Sequence, residues 1–150
     1  MKLLIIVNKL DCNDDLLGFF TGWLDDLARR CASIVVVTQF QGMYACPANV
    51  EIHLINKKQM ASRLRRLICL WRIVWSERKT YDTIFCFMAP AWLVAVWPVA
   101  ALARKKTAFW YAVWKGSFKL RVATWLADRI VTSVPQAFPI ASSKIVAVGQ

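Results

Sequence analysis

The sequence predicts an α/β fold in which a doubly wound, mostly parallel sheet lies between layers of helices, a three-layer α/β/α or Rossmann-like arrangement. Short apolar runs recur along the chain, as expected for parallel strands that are buried on both faces. Amphipathic helical stretches alternate with these runs, which is the pattern of βαβ units. At 150 residues and 58% hydrophobic content, the chain is long enough for one domain and too apolar for a disordered segment.

The N-terminal part of the chain predicts a strand, a polar loop and a helix. The apolar run at 2–7 is too short for a signal peptide, and charged residues follow it instead of a cleavage site, so we interpret it as a buried strand. Residues 8–15 predict a polar loop whose Asn and Asp side chains are suited to cap a helix over 16–31. On that helix, Asp25–Arg29 and Asp26–Arg30 are opposite charges one turn apart.

Two further strands and a basic helix follow. Residues 33–38 form a second apolar run, and 50–55 alternate, which indicates a strand with one more exposed face. Residues 59–79 predict an amphipathic helix. Its predicted buried face consists of Met60, Leu64, Leu67, Ile68, Trp71 and Val74. The basic face is either a solvated surface or a contact with anionic lipid. The residues of the lipid contact are Arg63, Arg65, Arg66, Arg72 and Trp75.

The uncharged stretch 83–103 has the length of a transmembrane helix. A strand at 83–88, a break at Pro90 and a helix over 91–103 explain the same residues, and we favour this interpretation. The rest of the chain repeats the βαβ pattern. Its predicted elements are strands at 107–112, 129–132 and 144–148 and a helix over 118–126.

The charge is unevenly distributed and limits the classes of partner. The net charge is +11, and beyond residue 57 the acids are Glu77, Asp82 and Asp128. A basic surface suits nucleic acid, lipid headgroups or phosphorylated ligands, and the absence of a nucleic-acid-binding motif favours the last two. The sequence has no Cys/His cluster for a metal and no GxGxxG loop for a nicotinamide or flavin, so we expect neither a metal nor a cofactor.

A series of short motifs extends from one end of the chain to the other. They are Asp11 and Asn13-Asp14, Leu17-Gly18-Phe19-Phe20 with Trp23, Tyr81-Asp82, Met88 and Pro90, Trp110-Tyr111-Ala112, 120–123, Ala127-Asp128 with Ile130 and Thr132-Ser133, Ser143-Lys144, and Val148-Gly149-Gln150. Their order and spacing resemble the N-terminal, acceptor-side domain of a GT-B glycosyltransferase of group 1, the family-4-like kind. The resemblance implies that residues 1–150 are one domain of a hexosyltransferase-type enzyme, and that the C-terminal domain that binds the nucleotide sugar is absent from this chain.

The resemblance also implies where the substrate lies. The implied substrate-binding residues are Gly18, Thr21, Val113, Lys115, Gly116 and Ser117. Related enzymes carry histidines at the positions of Thr21, Phe87 and Val113, and the last of these would accept a proton from the acceptor hydroxyl. Because valine cannot accept a proton, either Asp14 or Asp11 takes the catalytic role, or this domain is catalytically weakened.

Two functions from different classes are favoured over a third, a single-domain flavodoxin-like or nucleotide-binding protein, for which the sequence lacks a glycine loop that could hold a phosphate. The first is the acceptor-binding half of a glycosyltransferase that moves a sugar from a nucleotide sugar to a glycan or lipid-linked acceptor, inactive without its second domain. The second is a non-catalytic binding module of the same fold at a membrane surface or a partner interface. We expect a cytoplasmic location, extended by peripheral contact with the inner face of the membrane, and no nucleic-acid partner.

Overall fold

The structure is a computed structural model that describes residues 1–55, 62–134, 136 and 138–148. Within these residues, seven strands and four α-helices form. The strands are β1 (Lys2–Leu10), β2 (Ser33–Gln41), β3 (Val50–Leu54), β4 (Thr83–Phe87), β5 (Lys106–Trp110), β6 (Arg129–Thr132) and β7 (Ile145–Ala147). The helices are α1 (Phe19–Arg30), α2 (Arg63–Ser76), α3 (Pro90–Leu102) and α4 (Phe118–Leu126), and a 3-10 helix, Glu77–Lys79, follows α2.

All seven strands belong to one sheet with the order β3-β2-β1-β4-β5-β6-β7. Each neighbouring pair in the described sheet is parallel. The predicted doubly wound sheet is therefore confirmed. The chain winds in opposite directions from the centre, so the switch point lies between β1 and β4. In open α/β sheets, ligands bind at the carboxyl ends of the strands beside this point.

The sheet separates two apolar cores. On one face, α1 buries Phe20 and Leu24 against the strands. On the opposite face, α2, α3 and α4 bury residues such as Leu70, Leu93 and Leu120. We call these the α1 face and the three-helix face. The predicted three-layer arrangement is confirmed, because the strands are apolar on both faces and each face needs a cover.

The first strand and the first helix differ from the prediction at their boundary. Strand β1 continues through Leu10 because Lys9 and Leu10 pair with the end of β2, so the first part of the predicted loop is strand. Helix α1 begins at Phe19, after a turn that leaves Leu16 exposed. Asp14, one of the predicted capping residues, holds this turn instead of the first turn of the helix. Its side chain accepts hydrogen bonds from two amides of the turn.

The charged pairs predicted on α1 are wrong. Arg29 pairs with Asp26 instead, at 3.1 Å from Nη1 to Oδ1. Asp25 accepts a hydrogen bond of 2.7 Å from the hydroxyl of Tyr44, in the loop after β2. A neutral donor from a distant loop thus replaces the expected arginine, which local spacing alone does not reveal.

Helix α2 is rotated relative to the prediction. Its buried residues are Leu70 and Val74, whereas Leu64 and Ile68 of the predicted buried face are exposed. Arg66, predicted on the exposed side, is half-buried and donates to Gln39. The helix carries apolar residues on two sides, and periodicity does not tell which side meets the sheet. Residues 59–61 of the predicted helix, with Met60, lie outside the described residues.

The uncharged stretch 83–103 forms a strand and a helix, as favoured from the sequence. Strand β4 ends at Phe87, and α3 starts at Pro90, where the missing amide hydrogen costs nothing in the first turn. Across the part of the chain that the structure describes, no helix has both the length and the apolar character needed to cross a membrane.

Candidate functional site

The turn after β1 is built around the carboxylate of Asp14. Its Oδ1 accepts hydrogen bonds from the amides of Leu16 (3.0 Å) and Leu17 (2.7 Å), and its Oδ2 lies 2.6 Å from Lys9 Nζ. The hydrogen bond from Lys9, followed by that from Leu17, holds the pKa of Asp14 below its usual range. Asp14 therefore stays ionised with both oxygens engaged, which makes it a poor proton acceptor.

Asp11 shares the same lysine and is less tightly held. Its Oδ2 lies 3.6 Å from Lys9 Nζ, and its Oδ1 accepts a hydrogen bond of 3.1 Å from the amide of Asn13. Gly42, in the loop after β2, leaves room for this carboxylate, because a side chain at Gly42 would collide with it. Of the two acids, Asp11 keeps the oxygen with the weaker contacts and is the better base by geometry.

Gly18 and Thr21 support this turn from within. The amide of Gly18 donates to the carbonyl of Asp14 at 2.8 Å, and Thr21 Oγ1 donates to the carbonyl of Gly18 at 2.7 Å. A Cβ at Gly18 would lie 2.5 Å from the Asp14 carbonyl oxygen and 2.8 Å from that of Cys12. Glycine is required here because the backbone of the turn approaches so closely.

The second group of predicted residues lies in the loop after β5. Val113 is half-buried, while Lys115, Gly116 and Ser117 are exposed. Ser117 caps α4, since its Oγ accepts from the amide of Leu120 at 3.1 Å. Of these residues, Gly116 and Ser117 line a cavity together with Phe118, Arg121, Pro139 and Ile140. Because β5 is two strands from β1, the end of β5 that leads into this loop lies about 10 Å along the sheet from the end of β1.

An aromatic cluster fills the α1 face between these two loops. Phe87, at the end of β4, is fully buried and packs against Phe20, with ring centroids 4.3 Å apart and the rings tilted by 35°. Trp110, at the end of β5, meets the edge of Trp23 at 4.9 Å. The cluster forms an apolar surface beneath the ends of the strands that lead into these loops. Trp110 is thus a core residue, whereas its neighbour Tyr111 is half-buried and donates its hydroxyl hydrogen to the carbonyl of Lys115.

A polar network at the same edge escaped the sequence analysis. Asn8 Oδ1 accepts hydrogen bonds of 2.9 Å from Gln39 Nε2 and from Trp92 Nε1. Gln39 Oε1 in turn accepts from Arg66 Nη1 at 3.3 Å. The network joins the ends of β1 and β2 to α3 and α2. Its members are far apart in the sequence, so no local motif marks them.

Met88, directly after β4, is a second feature without a sequence signal. Its φ of 52° lies in the left-handed region that disfavours residues with a side chain. Its amide donates to the carbonyl of Trp110 at 3.0 Å, which holds the strained backbone in place. The strain lies next to the switch point, where such conformations tend to accompany function.

Three further polar motif residues, Tyr81, Asp82 and Asp128, lie at the opposite, amino edge of the sheet. Asp128 Oδ2 accepts from the amide (2.8 Å) and the hydroxyl (3.1 Å) of Thr107, and Asp82 Oδ2 accepts from the amide of Lys2. Tyr81 is buried, which raises its pKa to about 12, and donates to the carbonyl of Val74. These residues hold elements together away from the candidate site. In the described ranges, no three His, Cys, Asp or Glu side chains gather as metal ligands would.

Comparison with known proteins gives matches among solved structures. No protein-family model matches the chain, and no curated protein sequence does. The lipopolysaccharide outer core galactosyltransferase WaaB, in its apo form, matches with a TM-score of 0.67 at 10% identity, over 99% of this chain and 45% of WaaB. Anabaena Alr3699/HepE, in complex with UDP and glucose, matches with a TM-score of 0.63 at 17% identity, over 91% of this chain and 39% of HepE.

A third matching structure is that of a protein named as an epimerase. The UDP-GlcNAc 2-epimerase of Methanocaldococcus jannaschii has a TM-score of 0.61 at 14% identity, over 99% of this chain and 45% of the epimerase. The chain therefore spans less than half the length of each of these three structures. At these identities the likeness shows the fold: the chain has the Rossmann-like fold of one half of a GT-B protein, as the sequence motifs predicted.

Proposed function

From the GT-B fold, we propose that the chain is the acceptor-side domain of a hexosyltransferase-type glycosyltransferase, and that a C-terminal domain absent from this chain binds the nucleotide sugar. The observation that carries the proposal is the acidic turn after β1 and the loop with Lys115 after β5, on either side of the switch point. WaaB, which is named a galactosyltransferase, and HepE, whose structure holds UDP and glucose, support the class. Without a donor site, the isolated chain would not transfer sugar.

In the proposed reaction, a hydroxyl oxygen of the acceptor attacks the anomeric carbon of the donor sugar as the nucleoside diphosphate leaves. Asp11 Oδ2 accepts the hydroxyl proton, because it is the carboxylate oxygen with the weaker contacts. Asp14 acts as a positioning residue that holds Lys9 and the turn. Gly18, Thr21 and Val113 are proposed to contact the acceptor without supplying a titratable group, and Gly18 and Thr21 also hold the backbone of the turn.

The loop after β5 is proposed to hold the anionic part of the acceptor. Lys115 supplies a positive charge, and the amides of Gly116 and Ser117 lie at the N-terminus of α4, where the helix dipole favours anions. A phosphate or pyrophosphate that joins a glycan to a lipid fits this chemistry. The acceptor would therefore be a lipid-linked saccharide.

A lipid-linked acceptor requires contact with a membrane, and α2 is proposed to make one at the cytoplasmic face. Arg63, Arg65 and Arg72 are exposed and free to meet anionic headgroups. Trp75 is also exposed, with the Arg78 guanidinium 4.6 Å above its ring. Arg66 is left out of this contact because it donates to Gln39.

A second candidate function is a non-catalytic binding module of the same fold. It is favoured by the three positions where the related enzymes carry histidine. The Thr21 hydroxyl donates its hydrogen to the carbonyl of Gly18, and the Phe87 ring is packed in the aromatic cluster. Val113 cannot accept a proton. A module of this kind would bind the acceptor without promoting transfer.

Fusing the chain to the part of HepE that it does not match provides the test. The expected result is release of UDP from UDP-glucose that depends on added polyprenyl-pyrophosphate-linked saccharide. Asp11→Asn should lower this rate by about 10²- to 10⁴-fold, the usual contribution of a general base. The matched control is Asp15→Asn, an exposed acid of the same turn, which should leave the rate unchanged.

The fusion also separates the two candidate functions. UDP binding to the fusion confirms that the donor half is folded. Acceptor binding without UDP release would favour the binding module, and equal rates for Asp11→Asn and the unmodified fusion would contradict the role of Asp11. If no lipid-linked saccharide binds, the acceptor proposal is wrong.

A further inference from the structure

The three-helix face differs from the α1 face in the charge of its helices. Helices α2, α3 and α4 contain no acidic residue, while α2 carries four arginines and α4 carries Lys119 and Arg121. Helix α3, which contacts both α2 and α4, has no charged side chain along its length. In contrast, α1 balances Asp25 and Asp26 against two arginines. The outer surface of the three-helix face is thus positive at both sides and uncharged along the middle helix.

Large apolar side chains are exposed on the same three helices. On α4, Phe118 and Trp125 are 80% and 76% exposed, and their spacing of seven places them on one side of the helix. On α2, Leu64, Ile68 and Trp75 form a similar exposed stripe. Helix α3 adds Leu102, which is also exposed. Aromatic and aliphatic residues interleaved with arginine and lysine are the composition of helices that lie in a membrane interface.

We propose that the whole three-helix face docks on an anionic lipid bilayer, with α4 as a second aromatic contact beside α2. This inference extends the α2 contact proposed above from one helix to a face, and it does not require sugar transfer. Charge selects the occupant. A second copy of the chain would bring two positive, acid-free faces together, which is unfavourable, whereas anionic headgroups complement them.

The proposed docking fixes the orientation of the candidate site. Helices of βαβ units run antiparallel to the strands and form a layer that lies flat on the sheet. A bilayer that contacts the outer side of α2, α3 and α4 therefore lies parallel to the sheet. The carboxyl edge then faces along the membrane surface. In this orientation the loop after β5, which leads into α4, lies at the level of the headgroups, where the phosphate of a lipid-linked molecule resides.

Vesicle co-sedimentation of the full chain tests this inference. The chain should bind vesicles of phosphatidylglycerol with phosphatidylcholine and release them in high salt, and it should not bind vesicles of pure phosphatidylcholine. Phe118→Ser and Trp125→Ser should each weaken binding about tenfold, the effect of removing one aromatic contact. The matched control is Leu16→Ser, since Leu16 is also 80% exposed but lies in the turn before α1.

Several outcomes would overturn the inference. If Phe118→Ser and Trp125→Ser bind like the unmodified chain while Arg65→Gln with Arg72→Gln weakens binding, the contact is limited to α2. Equal weakening by Leu16→Ser would indicate nonspecific apolar adhesion. A dimer seen by sedimentation equilibrium without lipid, and lost in Trp125→Ser, would assign the face to a second copy. Because no donor sugar is involved, a failure of sugar transfer leaves these results unaffected, and vesicle binding does not by itself support transfer.

Discussion

The two faces of the sheet bury similar side chains but present different surfaces to their surroundings. Under α1 and under the three helices alike, the strands contribute mainly Leu, Ile, Val and aromatic side chains, from alternating positions of the same strands. The outer surfaces differ, since α1 is balanced in charge and α2, α3 and α4 are free of acids. Folding therefore constrains the inner surfaces, and the difference in function has to be sought on the outer ones.

The largest expected effect tests whether both faces are equally packed cores. Leu24→Ala, on α1, and Leu70→Ala, on α2, each remove a fully buried side chain. Each should lower the free energy of unfolding by about 2–5 kcal/mol, measured by urea denaturation, because each leaves a cavity. Leu16→Ala, at an exposed position, should change it by less than about 0.5 kcal/mol. A cost below that of the control for either buried leucine would mean that its face is not a packed layer.

The next effect concerns the α1 face alone and contrasts two glycines. Gly18→Ala should cost about 1–3 kcal/mol in thermal or urea unfolding, because the new Cβ meets backbone carbonyls that cannot move aside easily. Gly22→Ala should instead stabilise the protein by about 0.5–1 kcal/mol, since it lies inside α1 with no atom within 4 Å of the new Cβ. Equal effects of the two substitutions would show that the turn after β1 is not closely packed.

A smaller effect should appear at the carboxyl edge below α3. Asn8→Ala removes the acceptor shared by Gln39 and Trp92 and should lower the free energy of unfolding by about 1 kcal/mol. Asn13→Ala, in the exposed turn on the other side of β1, should cost less than about 0.5 kcal/mol. If Asn8→Ala costs nothing, the network that joins β1 to α3 does not contribute to stability.

The smallest effect is a pH dependence on the α1 side of the same edge. The pKa of Asp14 is lower in the folded chain, so its contribution to stability is complete above the unfolded pKa of about 4 and is lost as the pH falls through the folded value. The pKa of Lys9 is raised by the same contact, and its contribution is lost only as the pH rises above its usual value. The midpoint temperature of thermal unfolding should therefore fall less steeply below pH 4 for Asp14→Asn than for the unmodified chain. Parallel curves would contradict this linkage.

The sequence predicted the strands and their arrangement in a doubly wound sheet well, because a buried parallel strand is a continuous apolar run. The periodicity of apolar residues did not identify the buried face of α2, because the exposed Leu64 and Ile68 have the spacing expected of buried residues. A helix with two apolar stripes needs knowledge of its neighbours before either stripe can be assigned to the core.

The candidate site was predicted less completely than the fold. Asp14 stood out in an acidic loop, but its partner Lys9 belongs to the extended end of β1, which the sequence suggested was loop. The hydrogen bond between Trp92 and Asn8 joins residues 84 positions apart in the sequence, so no local pattern predicts it. The left-handed backbone at Met88 has no signal in composition, and the hydrogen bond that accompanies it goes to the carbonyl of Trp110, 22 positions further along the chain. Contacts made between elements were therefore the part that sequence reasoning missed.

The helices of the three-helix face are more positive than α1, so their charges contribute a component of the electric dipole that is roughly perpendicular to the sheet. Near a negatively charged surface, such a dipole turns the chain before any side chain makes contact. At about 0.1 M salt the field extends roughly 10 Å from the surface, so the turning occurs only in the last stage of approach. The rate of productive encounters should thus depend on ionic strength, even for variants whose final binding is unchanged.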